Sequence, residues 1–224
     1  MFMSITGEEL FPPCALFTAA GFASGSVMYS WLLPKALKSI DVRAVSPDGN
    51  PGGINAMRAA GTGVGLLCIF LDVLKAYLPV RLFLFHFGAG GFWLVPVALA
   101  PVLGHAFSPF LHFRGGKSIS TLFGAMLALW PVSRIVLVLA AVTVLFKFVA
   151  VVRPDSACFG TSVCVSCAAV FFLEPSLCAR AAFFLSGAVV LYRLVRNPDA
   201  GDLSLSLGRY RFCVADRRLR IVRR

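Results

Sequence analysis

The residues best suited to chemistry in this chain lie in two short polar stretches set between long apolar ones. One reads Gly115-Gly116-Lys117, with His105 twelve residues before the lysine. Two glycines expose backbone N–H groups with no Cβ in the way, and the lysine adds a point charge, which together suit a phosphate. The other stretch runs from Asp41 to Arg58 and contains Gly49-Asn50-Pro51-Gly52-Gly53 and Asn55. Three glycines, two prolines and two asparagines within ten residues make a rigid, irregular loop with many free amides. Arg58, in the first turn of the apolar run that follows, can grip an anion with its planar guanidinium. An ordinary turn is the competing reading of Gly49–Gly52, and a structural hydrogen bond is the competing reading of His105.

The elements that must position these residues are membrane helices. The chain is 58% hydrophobic and 14% charged, with a mean hydropathy of +0.85, whereas soluble domains carry about 25% charged residues. Lipid is the expected solvent, and polar groups at helix ends become functional candidates by default. Apolar runs near 14–37, 60–80, 92–111, 118–131, 133–152, 157–173 and 177–195 predict about seven transmembrane helices. The expected fold is therefore an all-α integral membrane bundle over residues 1–196, followed by a basic tail, 197–224. Pro34, Pro79, Pro131 and Pro175 fall near the ends of runs, where a helix can stop without losing internal hydrogen bonds.

Seven spans put the termini on opposite sides. One set of loops, with the tail, carries nearly all the lysines and arginines, and the other holds only Arg81, Arg134 and Arg180. The positive-inside rule then puts the amino terminus outside and the carboxyl terminus in the cytoplasm. Both polar stretches share the cytoplasmic face. The net charge of +11 is confined to loops and tail, which suits anionic lipid rather than nucleic acid. Adsorption of the tail to such lipid is expected. The start, Met1 to Pro13, has Glu8 and Glu9 but no basic residue, so no cleavable signal is expected. Asp72 and Lys75, at i and i+3 in the second run, are open to two readings, a structural ion pair or a catalytic one. Of seven cysteines, all but Cys213 lie in or beside apolar runs. Cys164-x-x-Cys167 lacks a second ligand pair, so neither metal nor cofactor is expected.

In order and spacing these motifs resemble one family, the bacterial acyl-phosphate:glycerol-3-phosphate acyltransferases (PlsY family). Its first signature is answered by Asp41, Arg43, Gly49, Asn50, Gly52, Asn55 and Arg58, and its Leu-Asp-x-x-Lys by Leu71-Asp72-Val73-Leu74-Lys75. Its Gly-His-x-x-Pro…Gly-Gly-Lys signature is answered by Gly104, His105, Pro109, Phe110, Phe113, Gly115, Gly116, Lys117 and Thr121. The resemblance covers roughly residues 20–196. Departures are specific: Asp48 stands where the family has a serine, and Tyr192-Arg193-Leu194-Val195 replaces its final His-Arg-x-Asn.

The resemblance implies transfer of a fatty acyl group from acyl phosphate to the 1-hydroxyl of glycerol 3-phosphate, giving lysophosphatidate in the bacterial inner membrane. It implies catalytic roles for Lys117, Arg58, Asn50 and His105. Arg43, Gly49, Gly52, Gly53, Asn55, Gly115, Gly116 and Arg193 would bind substrate phosphate. The acyl chain is expected near Phe107–Phe113. The alternatives are a diverged member that binds a phosphorylated lipid precursor with altered or no acyl transfer, or a small membrane transporter.

Overall fold

The computed structural model describes residues 7–88, 91–208, 210–215 and 218–223. Residues 1–6 of the amino-terminal stretch, and Arg209, Arg217 and Arg224 of the basic tail, lie outside the described residues.

Each predicted apolar run is helical. They form α1 (Gly7–Ser26) with α2 (Tyr29–Lys38), α5 (Thr62–Phe87), α6 (Leu94–Ala106), α7 (Ile119–Ala128), α8 (Ile135–Val144), α9 (Asp155–Leu173) and α10 (Leu177–Arg196). The first polar stretch folds into two short helices, α3 (Val42–Val45) and α4 (Gly53–Ala60). Seven full spans, however, are more than the lengths allow. Among the described residues four helices are long and apolar enough to cross a membrane, and the α1–α2 pair, bent by 41°, makes at most a fifth. Helix α7 and the straight part of α8 have 10 residues each. At ~1.5 Å per residue they reach about half of a ~30 Å hydrocarbon core. The mostly helical membrane class stands.

The bend between α1 and α2 explains the charges of the second run. A helix break frees backbone carbonyls that hydrocarbon cannot satisfy. Lys75 donates to the carbonyl of Val27 at the break, and Ser24 Oγ donates to the carbonyl of Lys75 at 2.9 Å. Asp72 lies 2.7 Å from the Lys75 ammonium and accepts from Ser30 Oγ of α2 at 2.7 Å. Both charges are buried, so each is affordable only with the other present. Small residues bring helices close elsewhere. A Cβ on Gly25 would collide with the carbonyl of Pro101, and one on Gly104 with that of Phe22, so α1 and α6 pack backbone to backbone. One apolar core joins these helices around Phe83, Met126, Leu139 and Phe183. A smaller cluster of Val42, Ala56 and Cys68 pins α3 and α4 to the side of α5.

The fold is not all-α. After α8 and a wider helical turn (Leu145–Val149), β1 (Ala150–Arg153) pairs with β2 (Leu203–Leu207) of the tail. Strands β3 (Tyr210–Ala215) and β4 (Arg218–Arg223) complete a four-stranded antiparallel sheet, ordered β1-β2-β3-β4. Beyond the helices the backbone has lost its internal partners, and the Leu-Ser-Leu-Ser-Leu alternation of β2 suits a two-faced strand. The tail is thus built onto the body of the molecule.

Candidate active site

Lys117 follows the glycine pair at the entry to α7, and the residue is 7% exposed. It meets two carboxylates, Asp48 at 2.8 Å and Asp199, which arrives from the segment after α10. Asp48 is held in turn by the first polar loop. Its Oδ1 accepts from Asn55 Nδ2 at 2.8 Å and from the Asn50 amide at 3.2 Å. Burial pushes the Asp48 carboxyl up, but the Lys117 hydrogen bond and charge, with the Asn50 and Asn55 donors, outweigh it and leave it below the usual carboxylate value. Asn55 also donates to the Asn50 carbonyl at 3.0 Å and accepts from Arg58 at 3.4 Å. Arg58 reaches Asp155 at 3.6 Å, and Asp155 accepts from Lys147 at 2.6 Å and Arg153 at 3.3 Å.

These side chains border a cavity of about 430 Å³. Asn50, Gly52, Gly53, Asn55, Arg58, His105 and Lys117 all line it, together with Ser156 and Asp199. No side chain caps the first turn of α4, whose Gly53, Ile54 and Asn55 face the cavity. An uncapped helix start beside a lysine and an arginine favours an anion. The other end of the cavity is apolar, walled by Ile69, Val73, Phe123, Leu127, Val136, Phe159 and Leu194. The apolar wall therefore comes from five different helices. Phe107 and Phe113, where the acyl chain was expected, line a separate cavity instead.

That second cavity, of about 550 Å³, takes up the remaining candidates except Gly116, which lines neither. Arg43, Gly49, Gly115 and Arg193 line it with Arg114 and Arg196, and Asp48 and Asn50 form the partition between the two. The glycine amides do not face an anion. Gly115 donates to the Ala106 carbonyl at 3.2 Å and Gly116 to that of His105 at 3.0 Å. A Cβ at Gly115 would collide with the His105 carbonyl, and one at Gly116 with the imidazole. Both must be glycine because the loop lies directly on the end of α6. Arg193 is also spent on this loop. It donates through Nε to the Gly116 carbonyl at 3.2 Å and through Nη2 to that of Gly115. Gly115, Gly116 and Arg193 thus position Lys117, and their groups are engaged within the protein. His105, 4% exposed, has its Nδ1 3.9 Å from Asp72 and without a hydrogen-bond partner among the described residues. The buried Asn50 Oδ1 is likewise unpartnered among them.

Three functional-site residues were not singled out from the sequence. Asp155, Ser156 and Asp199 come from the α9 start and the post-α10 segment, and only the folded chain brings them to the cavity that Lys117 lines. Ser156 donates its amide to Asp199 Oδ2 at 2.6 Å. Among the described residues no group of three metal-ligating side chains is present.

Known proteins are similar to this chain in sequence and fold. The family model described as glycerol-3-phosphate acyltransferase matches residues 15–200. A glycerol-3-phosphate acyltransferase of Clostridium acetobutylicum is 32% identical over 191 residues, covering 80% of this chain and 94% of the relative. Glycerol-3-phosphate acyltransferase 1 of Thermotoga maritima is 46% identical over 106 residues, 46% of this chain, so that match spans about half of the relative, 51%. A crystal structure of PlsY, an integral membrane glycerol 3-phosphate acyltransferase, in its glycerol 3-phosphate form superposes with a TM-score of 0.73 at 29% identity. It covers 82% of this chain and 89% of that one. The lysophosphatidic acid form gives 0.71 at 27% identity. On this match, carried by sequence and by fold, the chain belongs to the glycerol-3-phosphate acyltransferase (PlsY) family.

Proposed function

We propose that this protein is a membrane acyltransferase that moves a fatty acyl group from acyl phosphate to the 1-hydroxyl of glycerol 3-phosphate, releasing lysophosphatidate and inorganic phosphate. The observation that carries this reading is the two-part lining of the cavity beside Lys117. Its apolar wall suits an acyl chain, and its polar end offers Lys117, Arg58 and the α4 amides to the attached phosphate. The neighbouring arginine-lined cavity supports a second phosphate, that of glycerol 3-phosphate, across the Asp48–Asn50 partition.

In this scheme the 1-hydroxyl oxygen attacks the acyl carbonyl carbon, the new ester bond forms and the acyl–phosphate C–O bond breaks. Asn50 Oδ1, lacking a partner, accepts the hydroxyl hydrogen bond and orients the nucleophile. His105 faces the same volume and holds the carbonyl end. The hydroxyl proton passes to a substrate phosphate oxygen, and inorganic phosphate is the leaving group. An acyl phosphate is already activated, so positioning and charge stabilisation can supply much of the barrier reduction without a strong protein base. The polar end faces the cytoplasm, the amino terminus lies outside, and the chain resides in the bacterial inner membrane among its lipid partners.

The pairing of Lys117 with two carboxylates favours one other reading, phosphate-lipid binding without turnover. Purified protein in detergent, given acyl phosphate and glycerol 3-phosphate, separates them. Lysophosphatidate formed by the parent and reduced by about 100-fold or more in Lys117→Ala is the expected result. Binding without product supports the second reading, and full activity in Lys117→Ala overturns the site.

A further inference from the structure

Lys117 faces more negative charge than it can neutralise. Its single ammonium is shared by Asp48 and Asp199, so the seat at the polar end of the 430 Å³ cavity carries an excess anion before any substrate arrives. We propose that the segment 197–202 is a built-in plug, and that the Asp199 carboxylate holds the seat a substrate phosphate must take, so that phosphate binding and plug closure exclude one another. The proposal rests on the phosphate-binding reading of Lys117 given above.

The contacts of Asp199 are those of a bound anion. One oxygen meets the Lys117 ammonium, and the other accepts the Ser156 amide at 2.6 Å in the first turn of the 19-residue helix α9. A cation on one side and a helix start on the other is how a phosphate oxygen is held. The Asp199 amide completes the seal by donating to Ser156 Oγ at 3.2 Å.

Of the two carboxylates Asp199 is the one able to leave. Asp48 has a 6% exposed side chain fixed by Asn55 and by an amide of its own loop. Asp199 is 26% exposed. It lies between the end of α10 and Gly201, whose φ of +123° suits glycine and turns the chain into β2. Strand β2 is tied to β1 through Arg153↔Ser204, directly before the α9 start. The sheet therefore keeps the plug close while the turn lets it swing. Asp199 also borders a further cavity of about 300 Å³, lined by Arg58, Arg153 and Arg211 together with Asp48, Asp155 and Asp202. Arg58 and Arg153 already meet Asp155, which leaves Arg211 as the cation to receive the displaced carboxylate. The family match ends at residue 200, so β2, β3 and β4 lie beyond it, while β1, to which they are tied, lies within it.

The test uses the full chain in detergent and inorganic phosphate as the probe, measured by titration calorimetry. Asp199→Asn removes the competing charge and keeps the shape. It should bind phosphate about tenfold more tightly than the parent, the factor expected if the open seat is populated about one-tenth of the time. Asp202→Asn, at the far end of the plug and without a contact to Lys117 among the described residues, should match the parent. In the unaltered protein, phosphate should accelerate hydrogen exchange of the Asp199 amide, a measurement that does not depend on a variant folding. Equal or weaker binding by Asp199→Asn, an Asp202→Asn that reproduces the gain, or an Asp199 amide indifferent to phosphate would each overturn the plug while leaving the phosphate site standing. Absence of phosphate binding in both parent and Asp199→Asn would overturn the seat itself, and the acyl-phosphate reading with it.

Discussion

Among the residues at the polar end, Arg58 and Lys117 divide the work by exposure. Lys117 is buried and fixed by two carboxylates, whereas the Arg58 side chain is 64% exposed and has one 3.6 Å carboxylate and one 3.4 Å amide contact. Such loose contacts leave its guanidinium available to an incoming anion. Arg58→Lys keeps the charge but loses the planar fork, so KM for acyl phosphate should rise about tenfold with kcat changed much less. Steady-state kinetics in detergent would show it, and an unchanged KM would remove Arg58 from phosphate binding. Arg58 was legible in the sequence because it closes the first polar stretch three residues after Asn55, although the structure puts it in the last turn of α4 and not in the first turn of the span that follows. Asp199 was not, because an acid in a turn after the last helix looks like any solvated residue until the chain folds back.

For the elements, the decisive features are the bend between α1 and α2 and the loop that enters α7. The Asp72–Lys75 pair ties α5 to the break, with the lysine also satisfying the Val27 carbonyl. Removing one buried partner strands the other charge, so Asp72→Ala should cost on the order of 3–5 kcal/mol. The double variant Asp72→Leu with Lys75→Met should recover part of that loss, though not all, because Val27 keeps an unsatisfied carbonyl. Thermal unfolding in detergent tests this, and strictly additive losses would refute the coupling. The same logic of close fit governs Gly115 and Gly116. Their spacing before a lysine suggested free amides for phosphate. The structure uses those amides on the end of α6 and uses the absent Cβ atoms to let the loop lie there. A sequence pattern cannot distinguish a glycine needed for its amide from one needed for its missing side chain.

At the level of the whole molecule, the charges sort to two ends. Arg58, Lys117, Lys147 and Arg153 gather around Asp48 and Asp155 at the site. At the other end Arg81 donates to the Trp130 carbonyl at 3.1 Å and Arg180 to that of Phe171 at 3.3 Å. This segregation supports the cytoplasmic assignment of the site and predicts where the carboxyl terminus lies. A reporter fused after Arg224 should be active only in the cytoplasm, because positive loops resist export. Activity in the periplasm would reverse the orientation. The number of crossings is where counting apolar residues overreached. Runs four and five are apolar enough, but loop geometry before α7 and the turn at Trp130–Ser133 shorten the helices they form.

The sequence by itself determined the solvent, the positions of the apolar helices though not how many cross, the two polar stretches and the family, because apolar runs and motif spacing are local properties written in order along the chain. Tertiary structure decided which candidates meet. It split them between two cavities and turned the glycine amides inward. It also drew the tail into a sheet whose retained turn delivers Asp199 to Lys117. Those outcomes depend on contacts between residues as much as 82 positions apart, and on carboxylates and amides competing for one cation, which no local pattern encodes.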